Sequence, residues 1–185
     1  MVALLCIGER NIKATIIKYN FDHFKKKHGF MSYEQRLTVR LVDIWEQLRH
    51  ERPPPPYEQW NSAKISDIWQ KCIAMRVEPN QRASSEIVVR TLFVGQQLNV
   101  IMPTLRAEEC YQMHILDHDM KKLFSPITSV VQSQKSMAHD GTFVSKNNKL
   151  VKYRCCFLPF SDSKKYTEGG ANVHYIVAGF SWVHM

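Results

Sequence analysis

From Ser32 the apolar positions fall into a helical rhythm. Leu37, Leu41, Ile44, Trp45 and Leu48 recur at three- and four-residue spacing, with Arg36, Arg40, Asp43 and Gln47 on another face. This periodicity predicts an amphipathic helix, and Ser32-Tyr33-Glu34-Gln35 has capping-box spacing at its start. Pro53-Pro54-Pro55-Pro56 ends it: four prolines supply no N–H donors and favour a stiff, extended link. No basic flanking signature favours the tract as a ligand for a proline-binding module. A second, shorter helix follows an Asn61-Ser62 cap, with Ile65, Ile68, Trp69 and Cys72 on one face.

The pattern then changes. Ile73–Glu78 and the β-branched run Ser85–Val94 read as strands around a polar loop, and Gly95 ends the second. Short helical pieces are expected over Gln96–Ile101 and Arg106–His114, split by Pro103. Asp117–Gln134 is helical, turning Met120, Leu123, Phe124, Ile127, Val130 and Val131 inward, with Ser125-Pro126 kinking or restarting it. Asp140-Gly141 is expected to open a last β section, and Asn147-Asn148 suits a tight hairpin turn. The β-rich runs Lys149–Asp162 and Val173–Met185 flank a Ser/Lys/Gly loop and read as neighbouring antiparallel strands in the middle of a sheet. The order is helix, helix, two strands, several helices, three strands: an α+β pattern without an internal repeat.

A chain of 185 residues can bury a full core without disulfides or metal. The net charge of +8 favours anionic partners in principle. Half of that excess lies in residues 1–30, where Arg10, Lys13, Lys18, Lys25, Lys26 and Lys27 face Glu9 and Asp22 alone. We read residues 1–31 as a basic N-terminal extension, with Met31 an alternative start of translation, and residues 32–185 as the domain. Five cysteines, none spaced C-x-x-C, fit a reducing, cytoplasmic setting. The apolar opening Val2–Ile7 is too short for a secretory segment, and no stretch approaches a membrane span.

The order of elements, together with several short motifs, resembles the mostly stand-alone PAS family of alphaproteobacteria. The motifs are Ile44-Trp45-Glu46-Gln47-Leu48-Arg49 followed by Arg52-Pro53, Val94-Gly95, Phe157-Leu158-Pro159-Phe160-Ser161-Asp162, and Ala178-Gly179-Phe180-Ser181-Trp182. They cover residues 32–185, with Gly95-Gln96 standing where the family has Gly-Thr. The resemblance implies a five-stranded antiparallel sheet with helices on one face, preceded by N-terminal helices. It also implies a sensory or adaptor role without enzymatic activity, in which output travels through another signalling protein and homodimers can form. PAS domains hold haem, flavin, small metabolites or nothing between sheet and helices; no residue here names the cofactor.

Alternation indicates which residues face such a cavity. Lys152 and Arg154 require water, so Tyr153, Cys155 and Phe157 point the other way. By the same logic Arg90 points out and Val89, Thr91 and Phe93 point in, with Met113, Met120 and Leu123 as helical partners. The same residues equally suit an ordinary core. His114 and His118 sit four apart beside Asp117 and Asp119, yet Asp117 has the look of a helix N-cap, and we expect no metal. Adjacent strand residues such as Cys155 and Cys156 face opposite sides and form no redox pair. No phosphate loop or nucleophile elbow occurs. The alternative function is nonspecific nucleic-acid binding through Lys25-Lys26-Lys27-His28, which no recognition motif accompanies.

Overall fold

In the computed structural model, which describes residues 33–49, 54–79, 87–112, 118–145, 149–163 and 172–185, the first apolar rhythm forms helix α1, Tyr33–Arg49. Its buried face consists of Leu37, Thr38, Leu41, Val42 and Trp45. The expected stripe is thus rotated, and Ile44 and Leu48 are half-buried. The cause lies in what the helix rests on. An added Cβ at Gly179 would stand 2.1 Å from Leu41 Cδ1 and 3.2 Å from Leu37 Cδ2, so α1 sits directly against the sheet where no side chain intervenes. Trp45, fully buried, donates its indole N–H to the Pro159 carbonyl at 2.7 Å.

The proline tract docks rather than merely spacing two helices. Ser161 donates its backbone N–H to the Pro55 carbonyl at 2.9 Å and its hydroxyl to the Pro54 carbonyl at 3.1 Å, and Tyr57 N–H returns to the Ser161 carbonyl at 3.0 Å. Prolines serve here because only their carbonyls are needed. Two 3-10 turns follow, Tyr57–Gln59 and Ser62–Ile65, then the single turn α2, Ser66–Trp69. Asn61 caps as expected, its side chain accepting from Ala63 N–H at 3.0 Å.

Six strands make one antiparallel sheet: β1 (Cys72–Pro79), β2 (Ile87–Val94), β3 (Cys110–Gln112), β4 (Met137–Val144), β5 (Leu150–Phe160) and β6 (Tyr175–His184). Their order is β3-β2-β1-β6-β5-β4. The last strand therefore lies at the centre, paired antiparallel with β1 and β5. This is the expected α+β, PAS-like arrangement, first and last long strands side by side, with β3 added at one edge. The expected helix over Arg106–His114 is corrected to β3 over its described part. Thr91 N–H donates to the Glu109 carbonyl at 2.9 Å and draws the segment onto the free edge of β2. Glu108, at φ 65°, makes the turn into it.

Helices α3 (Gln96–Ile101), α4 (His118–Phe124) and α5 (Pro126–Ser133) supply the inner face. Met120, Leu123, Phe124, Ile127 and Val130 pack there on Ile73, Met75, Phe157, Ile176 and Phe180, each such side chain contributing about 1.5–3 kcal/mol when fully buried. Pro126 restarts the helix after Ser125, as expected. β5 explains why α1 takes the opposite face. It alternates exposed and buried as far as Arg154, then is buried at every position from Cys155 to Phe160. Cys156, Leu158 and Phe160 thus require a second cover that Lys152 does not. Pro159 is tolerated in this strand because β4 ends opposite Phe157, so its missing N–H costs no ladder bond.

Candidate functional site

Strand β4 carries the site's polar side chains. Its burial alternates along the whole strand, with Met137, His139, Gly141 and Phe143 half-buried and Ala138, Asp140, Thr142 and Val144 exposed. The expectation that Asp140-Gly141 opens the β section is corrected, since both lie mid-strand. Gly141 faces Tyr153 across the ladder, and a Cβ there would stand 2.7 Å from the Tyr153 hydroxyl. The missing side chain leaves room for the phenol, whose ring also lies 5.9 Å from those of His139 and Phe143.

Beside this strand opens a cleft of about 530 Å³, lined by Lys121, Lys122, Ser125, His139, Asp140, Gly141, Thr142 and Tyr153. The two lysines come from the last turn of α4, where cations complement the helix dipole. Ser125 spends its hydroxyl on the Lys122 carbonyl at 2.8 Å. The cleft therefore offers two ammonium groups, an imidazole, a phenol and one carboxylate, that of Asp140, to a ligand. That set suits hydrogen bonding and anion recognition, with no nucleophile paired to a base. Among the described residues no group of three or more His, Cys, Asp or Glu is placed to hold a metal ion.

Of the expected pocket residues that are described, Tyr153 alone lines this cleft. Val89, Met120, Leu123, Tyr153, Cys155 and Phe157 are brought together in the packed core between sheet and helices. Thr91 is fully buried nearby, and its hydroxyl donates to the Arg106 carbonyl with the Glu109 carbonyl 3.2 Å away, so it serves the connection to β3. Phe93 does not face the cavity. Ala74 pairs with Phe93 and Met75 with Thr91, leaving Leu92 as an extra residue; this bulge inverts the alternation. Phe93 instead stacks on Trp69 at 4.6 Å, on the outer side. Met113, His114 and Asp117 lie outside the described residues, as does the Asn147-Asn148 turn.

The three buried thiols are structural. Burial raises the Cys72 and Cys155 thiols well above the usual range and pushes Cys156 up to about 12. Cys72 and Cys156 flank Gly179 from either side of β6, one residue from each neighbouring strand. That places them two strand spacings apart, beyond disulfide reach.

A second cluster fills the outer face beside α1. Tyr57 stacks on Tyr175 at 4.5 Å, and Trp60 meets Phe160 at 5.3 Å and Trp69 at 6.2 Å. Desolvation, then the neighbouring Tyr175, raises the Tyr57 phenol. These rings cover the sheet end that the 3-10 turns cross, and we read them as packing. Among the described residues, no helix is long and apolar enough to cross a membrane.

No family model matches the chain, and no curated protein matches it. Among solved structures, a tryptophan-to-alanine variant of the Drosophila melanogaster Cycle PAS-B domain with bound glycerol is similar to it. The two share 16% identity over 60% of this chain and 99% of that one, with a TM-score of 0.37.

Proposed function

We propose that this protein is a PAS-like sensory or adaptor domain acting in the cytoplasm, and that its ligand or partner engages the cleft between α4 and β4. The observation that carries the reading is the convergence of Lys121, Lys122, His139 and Tyr153 on one cleft at the edge of the sheet. The strand order, with β6 central between β1 and β5, and the motifs from Trp45 to Trp182 support the PAS-like part. Binding at the cleft bears on α4 and on β4 together, so occupancy is coupled to the packing of helix against sheet. We read the protein as non-enzymatic, its output passing to another signalling protein.

The test is a nitrogen-15 NMR titration of the full chain with a mixture of small aromatic and aliphatic carboxylic acids. The reading expects shifts confined to residues 121–125, 139–142 and Tyr153. Shifts scattered elsewhere, or none, oppose it. Salt-sensitive retardation of random-sequence DNA without any change at the cleft instead favours the basic extension and nucleic acid.

A further inference from the structure

The cleft touches four consecutive residues of β4, His139 to Thr142. Successive strand side chains point to opposite faces, so a groove over one face would touch alternate residues. A groove that touches all four runs along the strand's edge. β4 is the terminal strand of the sheet and, among the described residues, pairs on one side only.

The ladder identifies which backbone groups that edge presents. Ser145 N–H donates to the Lys149 carbonyl at 2.9 Å, and the register continues without a bulge to Met137 opposite Phe157. In an antiparallel pair, bonded and non-bonded residue pairs alternate. Phe143, Gly141 and His139 therefore turn their N–H and C=O toward β5, and the Cys155 thiol accordingly donates to the His139 carbonyl. Thr142, Asp140 and Ala138 turn theirs outward, away from β5, those of Asp140 and Thr142 at the cleft.

This edge lacks most of the usual defences against pairing, with Asp140 its one carboxylate, on the strand face opposite the half-buried His139 and Gly141. Protein edges are blunted by shortness, proline, lysine or bulges. The opposite edge is short, since β3 has three residues. β4 has eight, Met-Ala-His-Asp-Gly-Thr-Phe-Val, with neither proline nor lysine and no bulge. Lys121 and Lys122 form the wall across from the strand.

We propose that the β4 edge receives an extended, acidic segment of a partner protein as a seventh strand, the partner's backbone pairing with Asp140 and Thr142 and its carboxylates meeting Lys121 and Lys122. This rests on the adaptor reading above and names the partner's chemistry. Backbone pairing supplies affinity, and side chains on alternate positions supply selectivity. Carboxylates that point toward the helical wall meet the lysines, while the intervening side chains point to solvent.

The probe is a fluorescein-labelled peptide alternating threonine and glutamate, titrated against the full chain by fluorescence anisotropy. Two controls replace glutamate by lysine or methylate alternate backbone amides. Each control is expected to bind at least about tenfold more weakly, and added salt to weaken the glutamate peptide. Thr142→Pro removes an outward N–H without breaking a bond to β5, and is expected to lose binding while keeping the melting temperature. Lys121→Glu with Lys122→Glu is expected to reverse the preference between glutamate and lysine peptides. If Thr142→Pro does not fold, the methylated peptide carries the same test.

Equal binding of glutamate and lysine peptides, unchanged binding to Thr142→Pro, or no binding at millimolar peptide overturns the proposal. So does dimerisation of the free chain that Thr142→Pro abolishes, which would make a second copy the occupant. Small acids that shift the cleft resonances while all peptides fail would leave the sensory reading standing and this inference refuted.

Discussion

Gly179→Ala tests how α1 is held against the sheet. The new Cβ would lie 2.1 Å from Leu41 Cδ1 and 3.5 Å from Cys72 Sγ, where carbon atoms normally rest about 3.5–4.0 Å apart. The overlap with Leu41 is therefore about 1.5 Å. Leu41 is fully buried, with Trp45 one turn further along the same face, so a new rotamer has little room and the helix must lift or the strand shift. Overpacking of this kind costs about 1–3 kcal/mol. For a chain of this length each kcal/mol lowers the melting temperature by roughly 2–4 °C.

The assay is urea denaturation of the full chain, with m compared to wild type so that a change in stability is separated from a change in compactness. Leu41→Ala alone should cost about 2–5 kcal/mol through the lost packing. The two substitutions relieve one another, so the double variant should cost less than the sum by about 0.5–3 kcal/mol. A Gly179→Ala variant within about 0.5 kcal/mol of wild type, or strict additivity in the double variant, would refute the close seating of Leu41 on Gly179.

Trp45→Phe removes the N–H that satisfies the buried Pro159 carbonyl and should cost about 1–3 kcal/mol by urea denaturation from that loss alone. Tyr153→Phe keeps the ring and removes only the hydroxyl above Gly141; it should cost about 1 kcal/mol in the same assay. The thiols of Cys72, Cys155 and Cys156 stay protonated in the fold at pH values where an unfolded chain loses their protons, so stability is full below pH 9.0 and falls as pH rises toward about 12. Unfolding free energies from urea denaturation across that range should fall by up to about 1.4 kcal/mol per pH unit per thiol, and Cys156→Ser should reduce that slope.

Much of the fold was legible because the apolar periods are long. α1, the α4–α5 pair and strands β5 and β6 each repeat their pattern often enough to reveal their type, and the α4–α5 pair and β5 reveal their facing side as well. What escaped depends on partners distant in sequence. The stripe of α1 rotated toward Thr38 and Val42 because Gly179, far along the chain, provides the flat place for Leu41. β3 escaped because three residues show no period, and it exists through bonds to β2. Phe93 was misassigned because a bulge at Leu92 leaves no mark in an otherwise regular β-branched run.

The site was less legible than the core. The inward orientation of Tyr153 was readable from the charges on either side of it. The remainder of the cleft hid behind Asp140-Gly141, a dipeptide that usually signals a turn and here lies inside a strand. The only signal was Asp140 and Thr142 alternating with Gly141 and Phe143, too short to mark a strand face, and glycine's lack of a side chain interrupts it. The prolines at 54 and 55 read as a spacer, and their docking on Ser161 depends on β4 ending opposite Phe157.

The most direct measurement of the central claim is residue-resolved amide hydrogen exchange along β4 in the free full chain, followed by NMR. An open receiving edge predicts slow exchange at His139, Gly141 and Phe143, which bond to β5, and fast exchange at Ala138, Asp140 and Thr142, which face away from β5. Adding the glutamate peptide should then slow Asp140 and Thr142 and leave the protected residues unchanged. Uniform protection of residues 138–142 in the free protein would mean that the edge is already paired, and would contradict the account.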